Sequence, residues 1–581
     1  MNQETKICQN CKREFVIEPD DFDFYEKVKV PPPSRCPECR YQRRLANRNE
    51  WNLYKRKCDL CKKDIISIYN TNYPGPVYCP RCFWSDKWDA QDYGRDFDFS
   101  KTFFEQFKEF RFSVPRLAIT NKDSVNSEYT NQAQQNKNCY LIVASNENEN
   151  CLYGNWYQTN KDCCDCYMVE RCELLYESLN CVSCYSSAFL QNCNSCHSSY
   201  FLKNCRGCES CFCCVGLRQK KYYWFNEQLT KEEYELRLES FRWVKEQIRE
   251  MKLKLKNLSM KYPNKYYEGR NIVNSAGDYL ENVKNIYRSF NIRHSNDVRY
   301  SQDAWHSKGS MDITEIFSEH DYEAEGCWSS RCLATSRCWH CSDVSYSETC
   351  FNCQNLFGCM SLSKKEYQIF NKRYSKEDYL SLKEKITYHM KEIGEWGEFF
   401  PIETSPFAYN ESVAQDYFPL NKEEVISRGW RWHDRDSREY KVTMKPQGIP
   451  GTIENVDDSI FGEVIECESQ QSEDGKKNYL SCTTAFRVAK AELEFYNKMS
   501  LPVPHKCFSC RRQDRLNMRN PRKLWKRSCQ CTGKTSVNGA YTNTCQHEHG
   551  DGPCPNTFET SYAPNRPEII YCEQCYLREV A

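Results

Sequence analysis

One stretch rich in cysteine and arginine occurs twice in this chain, at positions 471 residues apart. The first copy, from Arg35, reads RCPECRYQRRLANRNEWNLYKRKC, and the second, from Lys506, reads KCFSCRRQDRLNMRNPRKLWKRSC. In both copies a C-x2-C pair is joined to a further cysteine through a basic segment. Because thiolates at this spacing are typical metal ligands, each copy predicts a small module that folds around a bound ion.

The first 84 residues hold four C-x2-C pairs, which are enough ligands for two closed tetrahedral zinc sites. Pairing neighbours is the simplest arrangement, and an interleaved cross-brace is an alternative. Disulfides or idle thiols are disfavoured because the N-terminal segment lacks the features of a signal peptide and no apolar run is long enough to cross a membrane. We therefore expect a cytoplasmic protein with no membrane partner. The predicted ligands are Cys8, Cys11, Cys36 and Cys39 in one site and Cys58, Cys61, Cys79 and Cys82 in the other.

The opening segment ICQNCKREFVIEPDDFDFYEKVKVPPPSRCPECR resembles small, treble-clef-like zinc ribbons. The shared features are a C-x2-C pair, a Phe, a Phe-Tyr pair, a proline run and a second pair followed by Arg. The whole chain resembles large cysteine-rich multi-zinc-ribbon proteins of candidate-phyla bacteria and some giant viruses. The ribbon motif covers only about the first 40 residues, so for the rest the resemblance implies architecture rather than activity.

The C-terminal region is predicted to repeat this double ribbon. Cys8 would correspond to Tyr479, so Cys467 would have to supply the missing ligand. An insertion, CQHEHGDGPC, has the residue types for a further zinc site, although a solvated loop explains it equally well. We expect about four Zn²⁺ ions in all. The predicted ligands are Cys467, Cys482, Cys507 and Cys510 in a third site, Cys529, Cys531, Cys572 and Cys575 in a fourth, and Cys545, His547, His549 and Cys554 in the optional one.

Between the two ends, cysteines recur with a period of 12, as in Cys139, Cys151 and Cys163. A short fixed period predicts a β-solenoid with 12-residue coils. The pattern returns at an offset of about 145 residues. In each copy it is followed by a capping box and an apolar helical face, the first running from Thr230 to Pro263, which predicts a capping α-helix.

The cysteines of the repeats have three explanations. Reduced Cys fits a thin core as a small hydrophobe, while extra metal sites and disulfides between coils are the alternatives. The dense CESCFCC segment would be the best place for another ion. In the second copy Cys139, Cys151 and Cys163 are replaced by other residue types, which indicates that these three thiols are structural.

The predicted fold is therefore multidomain, with treble-clef-like zinc ribbons at both ends and a central duplicated β-solenoid. The predicted domains are a double ribbon at 1–84, a helical connector at 85–125, solenoid copies with capping helices at 126–265 and 272–395, a connector at 396–466, and a second double ribbon at 467–581.

Global charge favours no particular partner, since 81 Lys and Arg balance 80 Asp and Glu. Locally, the segment from Arg35 to Lys63 has 10 basic and 3 acidic residues, a net charge of +7. If a helix starts at each second cysteine pair, one face carries an arginine stripe that could track the phosphates of DNA or RNA, with Tyr41, Trp51, Tyr54 and Trp525 stacking on bases. The stripes are Arg40, Arg44 and Arg48 in the first copy and Arg511, Arg515 and Arg519 in the second.

The arginines have an alternative role, which is to neutralise the negative charge of a thiolate-bound zinc or to pair with acidic neighbours. Thr532–Thr535 lacks the glycine and strand of a phosphate loop, and no G-x-S-x-G motif occurs. The sequence thus predicts a non-catalytic, modular zinc protein that binds nucleic acid. The alternative is a structural scaffold or protein-interaction module, and a zinc-dependent enzyme would require an incompletely ligated site in the insertion.

Overall fold

The computed structural model describes residues 2–434, 441–470 and 482–580. It divides into two compact units, and each unit combines distant parts of the chain. The first unit is Met1–Thr120 with Tyr267–Arg435, and the second is Asn121–Tyr266 with Asp436–Ala581. The N-terminal cysteine pairs therefore share a unit with the second repeat region, and the C-terminal pairs share one with the first. The part of the predicted C-terminal ribbon at 471–481 lies outside the described residues.

The cysteine pairs of the first unit lie on short antiparallel hairpins and at helix starts. Lys12 and Lys62, at φ of 60° and 61°, follow the second cysteine of their pairs in the left-handed conformation that closes each tight turn. Pro37 and Pro80 occupy the first helical positions, where no backbone N–H is needed. The hairpins are Glu4–Ile7 with Glu14–Ile17 and Tyr54–Lys57 with Asp64–Ser67, and the helices are Pro19–Val28, Pro37–Ala46, Pro80–Phe83 and Phe103–Ser113.

The helix Phe103–Ser113 lies in the predicted helical connector and begins at a capping box formed by Thr102 and Glu105. Its phenylalanines Phe103, Phe104, Phe107 and Phe110 are buried. Phe103 contacts Phe357 and Phe370, which come from the repeat region of the same unit. The helix therefore joins the N-terminal ribbons to that region.

A large parallel sheet forms the repeat part of the first unit. Its strands pair at steps of 12 residues, as in Asn296 with Lys308, and in places at steps of 11, as in Thr314 with Glu325. Its strands are Gly269–Val273, Ala276–Arg293, Asn296–Arg299, Gln302–Trp305, Lys308–Met311, Thr314–Glu319, Tyr322–Ser330, Leu333–Ser345, Gln354–Phe357, Glu366–Ile369 and Lys372–Arg373.

The second unit contains the corresponding sheet, whose strands pair in parallel at 12-residue steps except for Lys221–Trp224 with Glu227–Gln228, which pair antiparallel. Asn138, Asn150 and Asp162 adopt positive φ at the turns, which these residue types tolerate, and their side chains form a ladder with N···O distances of 3.1 Å. The strands are Asn121–Lys122, Asn131–Gln134, Tyr140–Asn146, Leu152–Gln158, Lys161–Cys164, Tyr167–Glu170, Glu173–Tyr176, Leu179–Val182, Tyr185–Ala188, Tyr200–Lys203, Glu209–Val215, Lys221–Trp224 and Glu227–Gln228.

Helices follow both sheets, although the first prediction is wrong in detail. One continuous helix was expected from Thr230 towards Pro263, whereas the structure has Lys231–Ser240 and Lys245–Ser259. The break occurs because Phe241 and Trp243 turn towards the sheet, where Phe241 contacts Phe212 at a ring distance of 5.1 Å. After the second sheet, Lys376–Glu392 begins at Ser375, whose hydroxyl accepts from the Asp378 N–H.

The C-terminal ribbons of the second unit use the same small elements as the N-terminal ones. The strands are Ile465–Glu466 with Ala485–Phe486, Trp525–Ser528 with Thr557–Thr560, and Asn264–Lys265 with Ile570–Tyr571. The longer helices are Lys490–Met499, Phe508–Asn517 and Glu573–Val580.

The remaining elements of the two units are short. They are the strands Val77–Tyr78 and Arg116–Leu117 and short helical turns at Ala90–Tyr93, Ile402–Thr404, Tyr409–Glu411, Ala414–Tyr417, Lys422–Ser427, Pro446–Gly448, Ile453–Asn455, Asp458–Gly462 and Glu468–Gln470. Among the described residues, no helix is long and apolar enough to cross a membrane.

Candidate metal centres

The first candidate centre joins a hairpin turn to a helix start. Cys8 and Cys11 flank the turn, Cys36 immediately precedes the helix Pro37–Ala46, and Cys39 lies in its first turn. The four sulfurs lie within 4.8 Å of one another. The backbone N–H of Cys36 donates to Cys8 Sγ at 3.3 Å. The hydrogen bond with Cys36, together with one from the Asn10 amide, lowers the pKa of Cys39 to about 5 despite its burial, while the same hydrogen bond with Cys39 raises the pKa of Cys36.

The second centre has the same construction. Cys58 and Cys61 lie at the turn of the second hairpin, and Cys79 and Cys82 lie at the start of the short helix Pro80–Phe83. The Cys79 N–H donates to Cys58 Sγ at 3.3 Å. The structure therefore brings neighbouring pairs together, rather than interleaving them.

The third centre brings together Cys467, Cys482, Cys507 and Cys510. Cys467 follows the strand Ile465–Glu466, and its sulfur accepts from the N–H of Cys507 at 3.3 Å. That contact is the counterpart of the Cys36 to Cys8 hydrogen bond. Cys467 thus takes the position that Cys8 has in the first centre. This was predicted because the sequence counterpart of Cys8 is Tyr479, which is not a cysteine.

Near the C-terminus the structure groups the ligands differently from the prediction. The all-sulfur cluster contains Cys554 in place of Cys531, and Cys531 instead lies with His547 and His549. The reason is local, because the N–H of Cys554 donates to the carbonyl of Cys531 at 2.9 Å. This hydrogen bond places the C-terminal end of the insertion beside the pair Cys529 and Cys531. Cys545, predicted in the insertion site, is exposed and donates to the carbonyl of Arg578. The clusters are Cys529, Cys554, Cys572 and Cys575, and Cys531, His547, His549 and Cys575.

The described residues thus form more than the four metal-compatible clusters that the sequence suggested. In four of them a helix begins directly after the third cysteine, so its first N–H groups point towards the sulfurs. These arrangements can hold metal ions in closed, four-ligand shells.

The cysteines of the parallel sheets are a separate population. All described cysteines are free thiols, and those of the sheets are buried. Cys163 donates to the carbonyl of Lys161 at 3.4 Å. Burial raises the pKa of Cys163 to about 11 and that of Cys350 to about 12. These two thiols therefore stay protonated at neutral pH and serve as small core residues.

The arginine stripe of the first ribbon faces the protein interior, which corrects its predicted role. Arg40 and Arg44 are 1% and 0% exposed. Both pair with Asp312, at N···O distances of 2.8 and 3.1 Å, and Arg44 also pairs with Glu323 at 2.9 Å. Arg48 pairs with Glu50 at 2.8 Å. Carboxylates of the repeat region thus pair with Arg40 and Arg44, and a neighbouring carboxylate of the same segment pairs with Arg48.

The second stripe repeats this arrangement. Arg511 and Arg515 are buried and pair with Asp165 at 2.8 and 2.7 Å. Arg519 is half-buried and donates to the hydroxyl of Tyr167 at 2.6 Å. Burial opposes the charge of Arg511, but Asp165 raises its pKa well above the usual value. Arg511 and Arg515 are therefore paired with a carboxylate and turned away from solvent, as are Arg40 and Arg44 in the first stripe.

The aromatic residues expected to stack on bases also have partners within the protein. Tyr41 is buried against Tyr417 and Phe418. The hydroxyl of Tyr54 donates to Glu411 at 2.6 Å. Trp51 and Trp525 are half-buried.

Comparison with known proteins adds no functional assignment. No protein-family model and no curated protein matches the chain. A solved structure described as a candidate acetyltransferase from Desulfovibrio desulfuricans G20 is 9% identical, and the match covers 41% of this chain and 63% of that one. Its TM-score of 0.09 carries no argument about fold or activity.

The residues that the sequence reasoning missed are the acidic partners. Asp165 and Asp312 are 147 residues apart, the offset that relates the two repeat regions at their upstream ends. An aspartate kept at that offset was the available signal, and in the structure both aspartates lie at turns between strands. This repeated aspartate did not identify the partner of the arginines, because no local sequence pattern links position 312 to position 40.

Proposed function

We propose that the protein is a non-catalytic, zinc-held scaffold in which each terminal ribbon docks on a parallel sheet through its arginine helix. The supporting observation is that the same buried pair forms twice. Arg40 pairs with Asp312 in the first unit, and Arg511 pairs with Asp165 in the second, both at 2.8 Å. A surface made for phosphate would leave such arginines accessible.

A second contact repeats beside this pair. The hydroxyl of Tyr300 donates to Asp21 at 2.8 Å, and the hydroxyl of Tyr153 donates to Glu492 at 2.8 Å. Each acidic residue comes from a ribbon and each tyrosine from the sheet of the same unit. Because buried polar groups are costly when unpaired, this set fixes one docking geometry for each ribbon.

Zinc is the ion that these clusters would suit best. Four thiolates, or two thiolates with two imidazoles, match its tetrahedral preference and its affinity for sulfur and nitrogen. Each cluster supplies four ligands, which leaves no open position for a substrate or activated water. This closed ligation supports a structural role, and each bound ion would contribute on the order of 10 kcal/mol to folding.

We infer that the parallel sheets are the walls of β-solenoids with 12-residue coils. Support comes from the strand register, which is mostly 12 residues and in places 11, and from the recurring positive-φ turns. The helices that follow each sheet would cap the last coils and protect open strand edges. Such repeat bodies offer extended surfaces to protein partners.

Nucleic-acid binding remains the second candidate, carried by different residues. Lys55, Lys62 and Lys63 lie around the second hairpin and are exposed. They belong to the same locally basic segment but are not part of the buried stripe. A phosphate backbone could therefore be bound there without disturbing the docking pairs.

Filter binding to single- and double-stranded DNA and RNA over a salt series separates the two functions. The scaffold predicts weak binding at physiological salt that a K55E/K62E/K63E variant leaves unchanged. Tight, steeply salt-dependent binding that this variant abolishes would overturn the scaffold in favour of nucleic-acid recognition. A K376E/K385E/K391E variant, at three exposed positions of the helix Lys376–Glu392, is the control, because it carries the same change in net charge.

A further inference from the structure

One cysteine near the C-terminus belongs to two clusters. Cys575 Sγ lies within 4.8 Å of the sulfurs of Cys529, Cys554 and Cys572, and also within 4.8 Å of the ligand atoms of Cys531, His547 and His549. We propose that Cys575 is a bridging thiolate that joins two metal ions into one paired centre. This inference rests on the proposed binding of zinc and extends it to a site with a shared ligand.

His549 is oriented towards the shared sulfur. Its Nδ1 lies 2.8 Å from the carbonyl oxygen of Gly552, and since a carbonyl only accepts, Nδ1 carries the proton. In the neutral ring Nε2 then presents its lone pair 3.4 Å from Cys575 Sγ. A lone pair and a thiolate at this distance repel each other unless a cation or a proton lies between them.

His547 is held by an outer carboxylate. Its Nε2 lies 2.8 Å from Glu579 Oε1, and the two side chains are 1% and 0% exposed. Glu579 also accepts from the N–H of Thr544 and the hydroxyl of Tyr541, each at 2.8 Å. A carboxylate on the far nitrogen is the usual partner of a metal-bound imidazole, and it leaves Nδ1 of His547 as the ligand atom.

Cys531 is surrounded by hydrogen-bond donors. The side-chain amide of Asn543 donates to its sulfur at 3.2 Å, and the N–H of Gly533 does so at 3.5 Å. The hydroxyl of Tyr571 donates to Asn543 Oδ1 at 2.8 Å, which fixes the orientation of that amide. These donors hold the sulfur of Cys531 in place as a ligand atom beside the two histidines, as outer hydrogen bonds do at metal sites.

The ligand count then points to sharing. Two separate tetrahedral sites need eight donors, whereas the two clusters together contain seven residues, five cysteines and two histidines. One bridging thiolate completes both shells. With two divalent ions the five thiolates leave a formal charge of −1, which costs less to bury than the −2 of an isolated four-thiolate site. The insertion supplies three of these ligands, His547, His549 and Cys554.

Metal counting by native mass spectrometry tests the shared ligand. Relative to the parent, we expect His547→Ala/His549→Ala to lose one ion, Cys575→Ala to lose two and Cys572→Ala to lose one. Cys545→Ser, which changes a cysteine outside both clusters, should lose none. An unchanged count in the double histidine variant would overturn the proposal, whereas a parent protein with no bound metal would overturn the proposed zinc function itself.

Cadmium substitution tests the bridge in the parent protein, so it does not depend on whether a variant folds. With a magnetically active cadmium isotope, two ions that share Cys575 Sγ give two resonances coupled to each other through that sulfur. The resonances of the N-terminal clusters, which share no ligand, should show no such coupling and serve as internal controls. Two C-terminal resonances without mutual coupling would overturn the bridge.

Discussion

Arg40 donates to Asp312 from Nε at 2.8 Å, and its Nη2 lies 2.8 Å from the same carboxylate oxygen, although the two residues are 272 positions apart in the chain. The corresponding pair, Arg511 with Asp165, is 346 positions apart and runs in the opposite direction along the sequence. Each ribbon is therefore joined to a repeat region that is not its neighbour in sequence. Folding of either unit must close a long loop, and the buried pair stabilises only the closed arrangement.

Asp312→Asn should destabilise the first unit. The amide keeps the shape of the side chain but leaves Arg40 and Arg44 without their shared carboxylate, and loss of one partner of a buried pair costs about 3–5 kcal/mol. Hydrogen exchange should show earlier opening of the helix Pro37–Ala46, with no change in Phe508–Asn517. Asp165→Asn should give the reverse pattern.

The matched control for this pair is Asp64→Asn. Its partner is Lys57, and both side chains are mostly exposed, so the expected cost is about 1 kcal/mol or less. Equal effects of Asp64→Asn and Asp312→Asn would contradict the structural role given to the buried pair.

The buried carboxylate of Glu348 should make the first unit sensitive to acid. Burial alone would raise its pKa, but Arg111 and Arg116 lower it to about 2 from an ordinary value of 4.5. Because the folded-state pKa is depressed, the contribution is full above pH 4.5 and is lost as the pH falls towards 2. The destabilisation caused by Glu348→Gln should therefore shrink by about 1 kcal/mol between about pH 7 and pH 4.

Denaturant unfolding of the parent protein and of the Glu348→Gln variant at the two pH values measures this difference. Acid effects on the metal clusters are the same in both and therefore cancel. Glu109→Gln is the control, because its carboxylate is exposed beside Lys101. A Glu348→Gln effect that is constant with pH would contradict the assigned pairing.

The local features of this fold could be predicted from the sequence, whereas the long-range ones could not. The spacing of cysteines predicts hairpin turns and helix starts because both depend on a few adjacent residues, as at Cys36 and Pro37. The 12-residue period likewise appears in the strand register. The association of residues 1–120 with 267–435 depends on complementary surfaces far apart in sequence.

In the candidate sites, too, the local features could be predicted from the sequence and the long-range contacts could not. The structure brings together the cysteines that the repeat pattern grouped, except where the insertion changes the spacing around Cys531 and Cys554. The arginine periodicity predicted one helix face, which holds for Arg40 and Arg44, whereas Arg48 lies beyond the end of the helix Pro37–Ala46. Periodicity alone also does not distinguish a face turned to phosphate from one turned to buried carboxylate. Asp312 decides that question, and it lies in the other half of the chain.

Thiol alkylation should separate the cysteine populations. In the folded, metal-loaded protein we expect Cys545 to react first because it is exposed and outside the two C-terminal clusters. Cys163 and Cys350 should react only on unfolding, since they are buried and their raised pKa values keep them protonated. Peptide mass spectrometry over a time course measures the order. Modification of Cys163 at the rate of Cys545 would contradict its core position, and full reaction in denaturant is the control.

Metal removal should unfold the ribbons before the parallel sheets. The hairpin Glu4–Ile7 with Glu14–Ile17 is short, and the cluster of Cys8, Cys11, Cys36 and Cys39 lies at its turn, so a chelator removes most of what stabilises it. The strands Tyr140–Asn146 and Leu152–Gln158 are held by ladder hydrogen bonds and buried side chains that need no ion. Hydrogen exchange after chelation should therefore show lost protection in the hairpin and retained protection in these strands. Simultaneous loss in both would mean that the sheets depend on the docked ribbons for stability, and readdition of zinc should restore protection of the hairpin.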